Sequence, residues 1–377
     1  MGKKRILFMI PHLGGGGAEK VLVTLINSLD SKKYDISILV SGLNHTRCKE
    51  IKNPVYYYSV GQQNNLYFGK KSMKWQHDMP PRFKADFVKT AFNLYEHDVD
   101  FLFMDCLLLK IFAQGNSNNI SIFRVTSDYL ARPLSTWTLT DNNAYINMHM
   151  DCYKAADYIV AGSEHAAVSF AEVTGVSENM LVINNIFDVS HIKASSEAEL
   201  DVAKKCFVIG TVGNFRLIKG HMRLIEVCNR LNKEGFVFEL WLVGKGSEED
   251  NLRKKVAEYG MENVVFWGYQ DNPYKIMRNM DLYVNPAFSE GFPNAPAEAV
   301  VLGIPCVVAD HCGEREIFGD SEYGLVVDNS EQGLYEGIKR MLTDAGAYEY
   351  YKNATLKRQE FFNPTRVLER YEKLFGE

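Results

Sequence analysis

The chain lacks the marks of several protein classes. No two of its seven cysteines, Cys48, Cys106, Cys152, Cys206, Cys228, Cys306 and Cys312, stand at C-x-x-C spacing, and the count is odd. That argues against a zinc site or a disulfide framework and for reduced thiols. No run of ~18 apolar residues is present, so no membrane-spanning helix is encoded. The basic start, Met1–Arg5, leads into Ile6–Leu13, which is too short for a signal-peptide core and has no small-residue cleavage site. A cytoplasmic protein is the expectation. Positive charge is not in excess: the net charge is −5, and no nucleic-acid partner is expected. The histidines at 45, 77, 97, 165 and 221 show no metal-ligand spacing, so no metal is expected. Asp98-Val99-Asp100 has the D-x-D form that binds metal in another fold, but it precedes the strand Phe101–Met104 and lacks that fold's surroundings.

What is present is ordinary globular composition, with 46% hydrophobic and 24% charged residues over 377 positions. That length suits two domains. Arg5–Ile10 has strand length, Gly14–Gly17 makes a turn, and Ala18–Leu29 has apolar residues at helical spacing. Tyr34–Val40 completes a βαβ unit. Further strands are expected at Phe101–Met104, Ser121–Val125, Tyr158–Ala161 and Met180–Ile183. The same grammar restarts at Phe207–Val212, with a loop at Gly213–Gly220 and a helix at His221–Lys233. Strands Phe236–Val243, Val264–Trp267, Leu282–Asn285, Pro305–Ala309 and Gly324–Val327 follow, with a helix at Glu248–Tyr259. Such short runs of Val, Ile and aromatics suit buried parallel strands. The expected fold class is α/β with two Rossmann-like domains. The expected bounds are 1–190, 191–355 and a C-terminal helix at 356–377, with Asn363-Pro364 starting its last piece.

Three stretches carry candidate chemistry. Gly14–Gly17, between strand and helix, allows close backbone approach at a helix N-terminus, or serves only as a tight turn. Arg216 and Lys219, in the loop Gly213–Gly220, put two cations beside a helix start, which suits a diphosphate and charge growing on a leaving group. Glu290 and Glu298 lie eight apart. Glu298 stands among Ala297, Ala299, Val300 and Val301, where a carboxylate needs a partner such as a ribose diol.

In these stretches, and in Asn185-Ile186-Phe187-Asp188, the whole chain resembles the retaining GT-B glycosyltransferases of family 4. The Gly-Gly-Ala-Glu turn, the Gly213–Gly220 loop, the Glu290–Glu298 pair with Gly303–Ala309 after it, and Asn185–Asp188 correspond in order to that family's motifs. The resemblance implies two facing domains with a cleft, the C-terminal helix crossing back to the first. It implies a nucleoside diphosphate sugar as donor, UDP ahead of GDP, and a cell-envelope glycan or lipid-linked acceptor. No further cofactor is implied, and the anomeric configuration is retained. By this resemblance Arg216 and Lys219 would bind the diphosphate, Glu290 would touch the transferred sugar, and Glu298 would bind the ribose. Gly291, Phe292 and Asn294 share that stretch. By the same resemblance Gly16 and Gly17 would let donor or acceptor approach, Gly244, Gly268 and Tyr269 would border the base, and Ser163 would lie near the floor between the domains. Many members carry a His after the strand corresponding to Ser121–Val125. Here Arg124, Thr126 and Asp128 stand instead, with Asp128 as the catalytic candidate and a structural ion pair as the alternative for Arg124 or Asp128. The rival functions are a sugar-nucleotide 2-epimerase and a non-catalytic binding protein.

Gly61–Lys89 interleaves Lys70, Lys71, Lys74, Arg82, Lys84 and Lys89 with Tyr67, Phe68, Trp75 and Phe83. It reads either as a peripheral contact with the inner face of an anionic membrane or as a loop packed on its own domain.

Overall fold

The computed structural model describes residues 2–40, 46–59, 97–103, 120–126, 150, 153, 154, 156–200, 202, 204–311 and 313–376. Asp128 and the whole of Gly61–Lys89 lie outside the described residues. The chain forms two compact units. The first comprises the described residues up to 126, those from 150 to Ile186, and 365–376; the second runs from Phe187 to Pro364.

The first unit is built on a seven-stranded sheet: β1 (Lys4–Ile10), β2 (Tyr34–Val40), β3 (Val55–Ser59), β4 (Val99–Phe103), β5 (Ile120–Val125), β6 (Tyr158–Ala161) and β7 (Met180–Val182). All pairings are parallel, in the order β3-β2-β1-β4-β5-β6-β7. Ile6–Ile10 is buried at every position, as a parallel strand covered on both faces must be. Helix α1 (Gly17–Ser28) buries Val21, Leu22, Leu25 and Ile26, the i, i+1, i+4, i+5 stripe that one helical face provides. Helix α2 (Glu164–Thr174) is capped by Ser163, whose Oγ accepts from Ala166 N at 3.0 Å.

The second unit repeats the plan with six strands: β8 (Phe207–Val212), β9 (Phe238–Val243), β10 (Val264–Gly268), β11 (Leu282–Asn285), β12 (Cys306–Ala309) and β13 (Leu325–Val327). Their order is β10-β9-β8-β11-β12-β13, again parallel. Its helices are α3 (Val189–Ser196), α4 (His221–Lys233), α5 (Glu249–Glu258), α6 (Tyr274–Met277), α7 (Asn294–Val301), α8 (Glu314–Phe318), α9 (Glu331–Thr343) and α10 (Ala345–Arg358). Alternate strand residues enter two separate cores: Ile209, Leu240 and Leu242 in one, Val208 and Trp241 in the other. The polar stretch after Ser190 is helical within this unit, with Asp188 Oδ1 accepting from His191 N at 2.9 Å. Among the described residues the passages between units fall at Ile186/Phe187 and Pro364/Thr365; the expected bounds stood at 190 and 355.

The last helix, α11 (Pro364–Leu374), carries the chain back into the first unit, where Tyr371, Leu374 and Phe375 join the core of Phe8, Tyr34 and Phe101. Arg124, on β5 and 1% exposed, anchors this return. Its guanidinium donates to the Tyr371 hydroxyl, to Ile183 O at 3.2 Å and to Asn185 Oδ1 at 2.6 Å. Arg124 is thus held inside the first unit by neutral hydrogen-bond partners.

In each sheet the chain leaves the central strand in one direction and later restarts on the other side of it. The switch points are between β1 and β4 in the first unit and between β8 and β11 in the second. In open parallel sheets, ligands bind at the carboxyl ends of the strands flanking such a point.

Candidate active site

The second unit's switch point is built from three loops, and glycines set how closely they approach. Gly220 has φ +66°, and a Cβ there would lie 1.8 Å from Pro286 O; one at Gly244 would lie 1.9 Å from Gly213 O. Only glycine permits such contacts between backbones. Hydrogen bonds fix the same loops: Gly244 N donates to Gly268 O at 2.8 Å, Phe215 N to Lys245 O at 3.0 Å, and Phe288 N to Ile218 O at 2.8 Å.

This framework brings Lys219 and Glu290 together. Lys219 follows β8 in a short 3-10 turn, Leu217–Lys219, and Glu290 follows β11. Lys219 Nζ lies 2.6 Å from Glu290 Oε2, with the two side chains 27% and 16% exposed. Arg216, on the same loop, is exposed. Gly291 and Phe292 are buried, and Asn294 opens α7. Glu298, on α7, is 4% exposed. Tyr269 follows Gly268 with its ring exposed, 5.1 Å from Lys245 Nζ. In the first unit Gly16 precedes α1 and Gly17 opens it. Asp128 lies outside the described residues. Among the described residues no three His, Cys, Asp or Glu side chains gather as a metal site. Asp98 binds Arg5 N at 2.9 Å and Arg5 Nη2 at 3.2 Å, and Asp100 is buried on β4.

Several supporting residues were not singled out from the sequence. Arg223, on α4, donates to Pro286 O and Ala287 O, both at 2.6 Å, and to Asn329 Oδ1 at 2.8 Å, with its guanidinium 4.1 Å from the Phe288 ring. It thereby holds the loop that leads to Glu290. Burial pulls this guanidinium down to a pKa of about 10, against an opposing pull from Glu331. His221 opens α4 with its ring 4.8 Å from Phe215. Burial, reinforced by Lys219, lowers its pKa to about 3, so the ring is neutral. Behind Glu290, the wholly buried Glu314 accepts from Asn285 Nδ2 at 2.5 Å and lies 3.3 Å from His311 Nε2. Burial pushes its carboxyl well above the usual range; the bond from Asn285 opposes this and the charge of Glu290 adds to it. In the first unit His12 Nδ1 lies 2.9 Å from Oε1 of the buried Glu19. The sequence signal for Arg223 and His221 was their place on the first turn of α4, just after a loop rich in chemistry. Glu314, next to Gly313, and His12, two residues before Gly14, carried no further signal.

The chain as a whole is similar to known proteins. Residues 193–358 match the family of glycosyl transferases group 1. Over 376 residues, 97% of both chains, the sequence is 27% identical to an N-acetylgalactosamine-N,N'-diacetylbacillosaminyl-diphospho-undecaprenol 4-alpha-N-acetylgalactosaminyltransferase of Campylobacter jejuni. It is 25% identical over 174 residues, 45% of this chain and 46% of the other, to a capsular polysaccharide biosynthesis glycosyltransferase of Staphylococcus aureus. Among solved structures, Anabaena HepE in complex with UDP and glucose superposes with a TM-score of 0.77 over 98% of both chains at 20% identity. S. aureus TarM, bound to UDP and an α-GlcNAc-glycerol, does so at 0.75 over 99% of this chain and 100% of its own at 13% identity. The fold is GT-B.

Proposed function

We propose that this protein is a retaining glycosyltransferase of cell-envelope glycan synthesis, moving a sugar from a UDP-sugar to a hydroxyl of a lipid-linked oligosaccharide or polysaccharide. The observation that carries this reading is the Lys219–Glu290 pair at 2.6 Å, set at the carboxyl ends of β8 and β11. A cation and a carboxylate held side by side suit the two halves of a sugar diphosphate: phosphate oxygens for Lys219, sugar hydroxyls for Glu290. Arg216 adds a second cation, and the N-terminus of α7 adds backbone donors. These groups face charge that grows on the departing diphosphate and stabilise it without reorganising. Glu298 takes the ribose, and the backbone near Gly244 and Gly268, with Tyr269, borders the base. The sugar passes through an oxocarbenium-like state. Retention belongs to this reading through the likeness of Glu290–Glu298 to the Glu-x7-Glu motif. The relatives' names, which span lipopolysaccharide, capsule and undecaprenol-linked glycans, support the setting. No helix among the described residues is long and apolar enough to cross a membrane. A peripheral contact through 61–89 remains part of the proposal.

The test is UDP release from UDP-glucose, UDP-galactose and their N-acetylated forms, with undecaprenyl-diphosphate-linked saccharides as acceptors. The expected result is acceptor-dependent UDP release, an α-linked product by NMR, and a loss of about 10–1000-fold in Arg216→Ala or Lys219→Ala. Epimerised donor without free UDP would assign the chain to an isomerase instead. Binding of UDP without turnover of any donor would leave it a binding protein.

A further inference from the structure

The first turn of α4 carries a charge that the second unit leaves without a counter-ion. Arg223 is 4% exposed. Its guanidinium donates to neutral oxygens: Nε to Pro286 O, Nη2 to Ala287 O and Nη1 to Asn329 Oδ1. The face of the Phe288 ring covers it. Among the described residues no carboxylate forms an ion pair with it. The negative charge that bears on it is that of Glu331, an exposed residue at the start of α9. Burial lowers its pKa, but only to about 10, so the group is charged at neutral pH.

Holding the loop before Glu290 needs hydrogen-bond donors, not charge, and a buried charge without an opposite one costs stability. Carbonyl dipoles and a ring face offset part of that cost. A net positive charge is left inside the unit, and its place is informative. A Cβ on Gly220 would lie 2.9 Å from Arg223 Nε and 1.8 Å from Pro286 O. The guanidinium therefore sits directly behind the backbone that follows Lys219. The other two cations of this loop differ from it. Lys219 is paired with Glu290, and Arg216 is exposed, where water and salt screen it. Of the three, Arg223 alone is both buried and without a carboxylate.

We propose that Arg223 is an electrostatic positioning residue for the donor's diphosphate. It touches no ligand. Its buried charge draws the anion to the turn at Lys219–Gly220, and the anion supplies the counter-charge that the second unit lacks. Because the charge lies under the backbone, its field reaches the site through protein rather than water and is little weakened by salt. The charge also stays in place when a ligand arrives, whereas Lys219 must first exchange Glu290 for phosphate. The identity of the anion as a nucleoside diphosphate rests on the glycosyltransferase reading above; the attraction itself extends to any diphosphate, inorganic pyrophosphate included.

The test is to give Arg223 the counter-ion it lacks. Asn329→Asp puts a carboxylate at the position that already accepts from Nη1, so the charge is cancelled while the arginine stays in place. Calorimetry with inorganic pyrophosphate, and separately with UDP, should show each Kd raised about 5–50-fold. A merely structural Arg223 predicts the opposite, since a paired arginine holds its loop at least as well. Asn329→Ala loses the same bonds to Arg223 and to Phe288 O and adds no charge; both affinities should stay near the wild type. Arg223→Lys, which keeps the charge, should bind pyrophosphate more tightly than Arg223→Gln. Unchanged pyrophosphate binding in Asn329→Asp, an equal loss in Asn329→Ala, or a wild type that binds neither anion overturns the proposal. Pyrophosphate weakened as expected, with no binding of UDP to the wild type, leaves the role of Arg223 standing and overturns the UDP-sugar reading instead.

Discussion

Replacing Glu290 by Gln should tighten UDP binding while slowing transfer. In the empty site Lys219 is held by Glu290 at 2.6 Å, with both side chains mostly covered. A diphosphate can take Lys219 only by displacing that carboxylate. Fully exposed ion pairs are worth about 0.2–1 kcal/mol, and breaking wholly buried ones costs about 3–5 kcal/mol. At 27% and 16% exposure this pair falls between, so about 1–2 kcal/mol opposes UDP. At about 1.4 kcal/mol per tenfold, Glu290→Gln should lower the Kd for UDP roughly 5–30-fold. Turnover of the UDP-sugar should fall at least about tenfold, because a contact to the sugar is weakened as charge develops on it. Isothermal calorimetry with UDP, on wild type, Glu290→Gln and Lys219→Ala, reads the first effect directly, and a salt series should shrink it. An unchanged or weaker affinity in Glu290→Gln, alongside lost affinity in Lys219→Ala, would refute the exchange of partners.

The remaining predictions concern stability. His221 is neutral in the fold, its pKa lowered from 6.5 to about 3 chiefly by burial. An unfolded chain therefore binds a proton there that the native state does not, and stability is full above pH 6.5 and lost as pH falls toward 3. The loss is at most about 5 kcal/mol, at about 1.4 kcal/mol per pH unit. His221→Leu should flatten that limb in urea titrations run between pH 6.5 and 4; parallel limbs in the two proteins would count against the assignment. Gly220→Ala puts a side chain at φ +66° and 1.8 Å from Pro286 O, so it should destabilise by roughly 2–4 kcal/mol. Calorimetry should show a melting transition about 5–15 °C lower, and an unshifted transition would mean the loop yields freely.

Much of the architecture was legible because parallel strands are covered on both faces and so read as unbroken apolar runs. Tyr158–Ala161, Phe207–Val212 and Leu282–Asn285 fall where the sequence put them. β3 escaped because Val55-Tyr56-Tyr57-Tyr58-Ser59 lies at the sheet edge, beside β2 alone. Its first tyrosine, Tyr56, is 63% exposed, and a run of three tyrosines carries no periodicity. The loop cations and carboxylates stood out through their spacing around glycines. Arg124 did not resolve from sequence, because its partners, Ile183, Asn185 and Tyr371, lie 59, 61 and 247 residues away. His12 was passed over for the same kind of reason. Glu19, which it faces at 2.9 Å, stands seven positions on, across the Gly14–Gly17 turn.

The bonds from Arg124 to Asn185 and Tyr371 bear on the order in which the protein is made. Among the described residues the second unit is one stretch, Phe187–Pro364, and it can close as soon as that stretch has been synthesised. The first unit cannot. Its sheet is complete by Val182, yet the core around Phe8, Tyr34 and Phe101 lacks Tyr371, Leu374 and Phe375 until the end of the chain arrives. At about 5–20 residues per second, that leaves an interval of roughly 10–40 s. Throughout it, an arginine destined for the interior is without its tyrosine partner and a patch of aromatic surface stays open. The half of the protein made first is the half finished last, and the nascent chain is most exposed to aggregation in that interval.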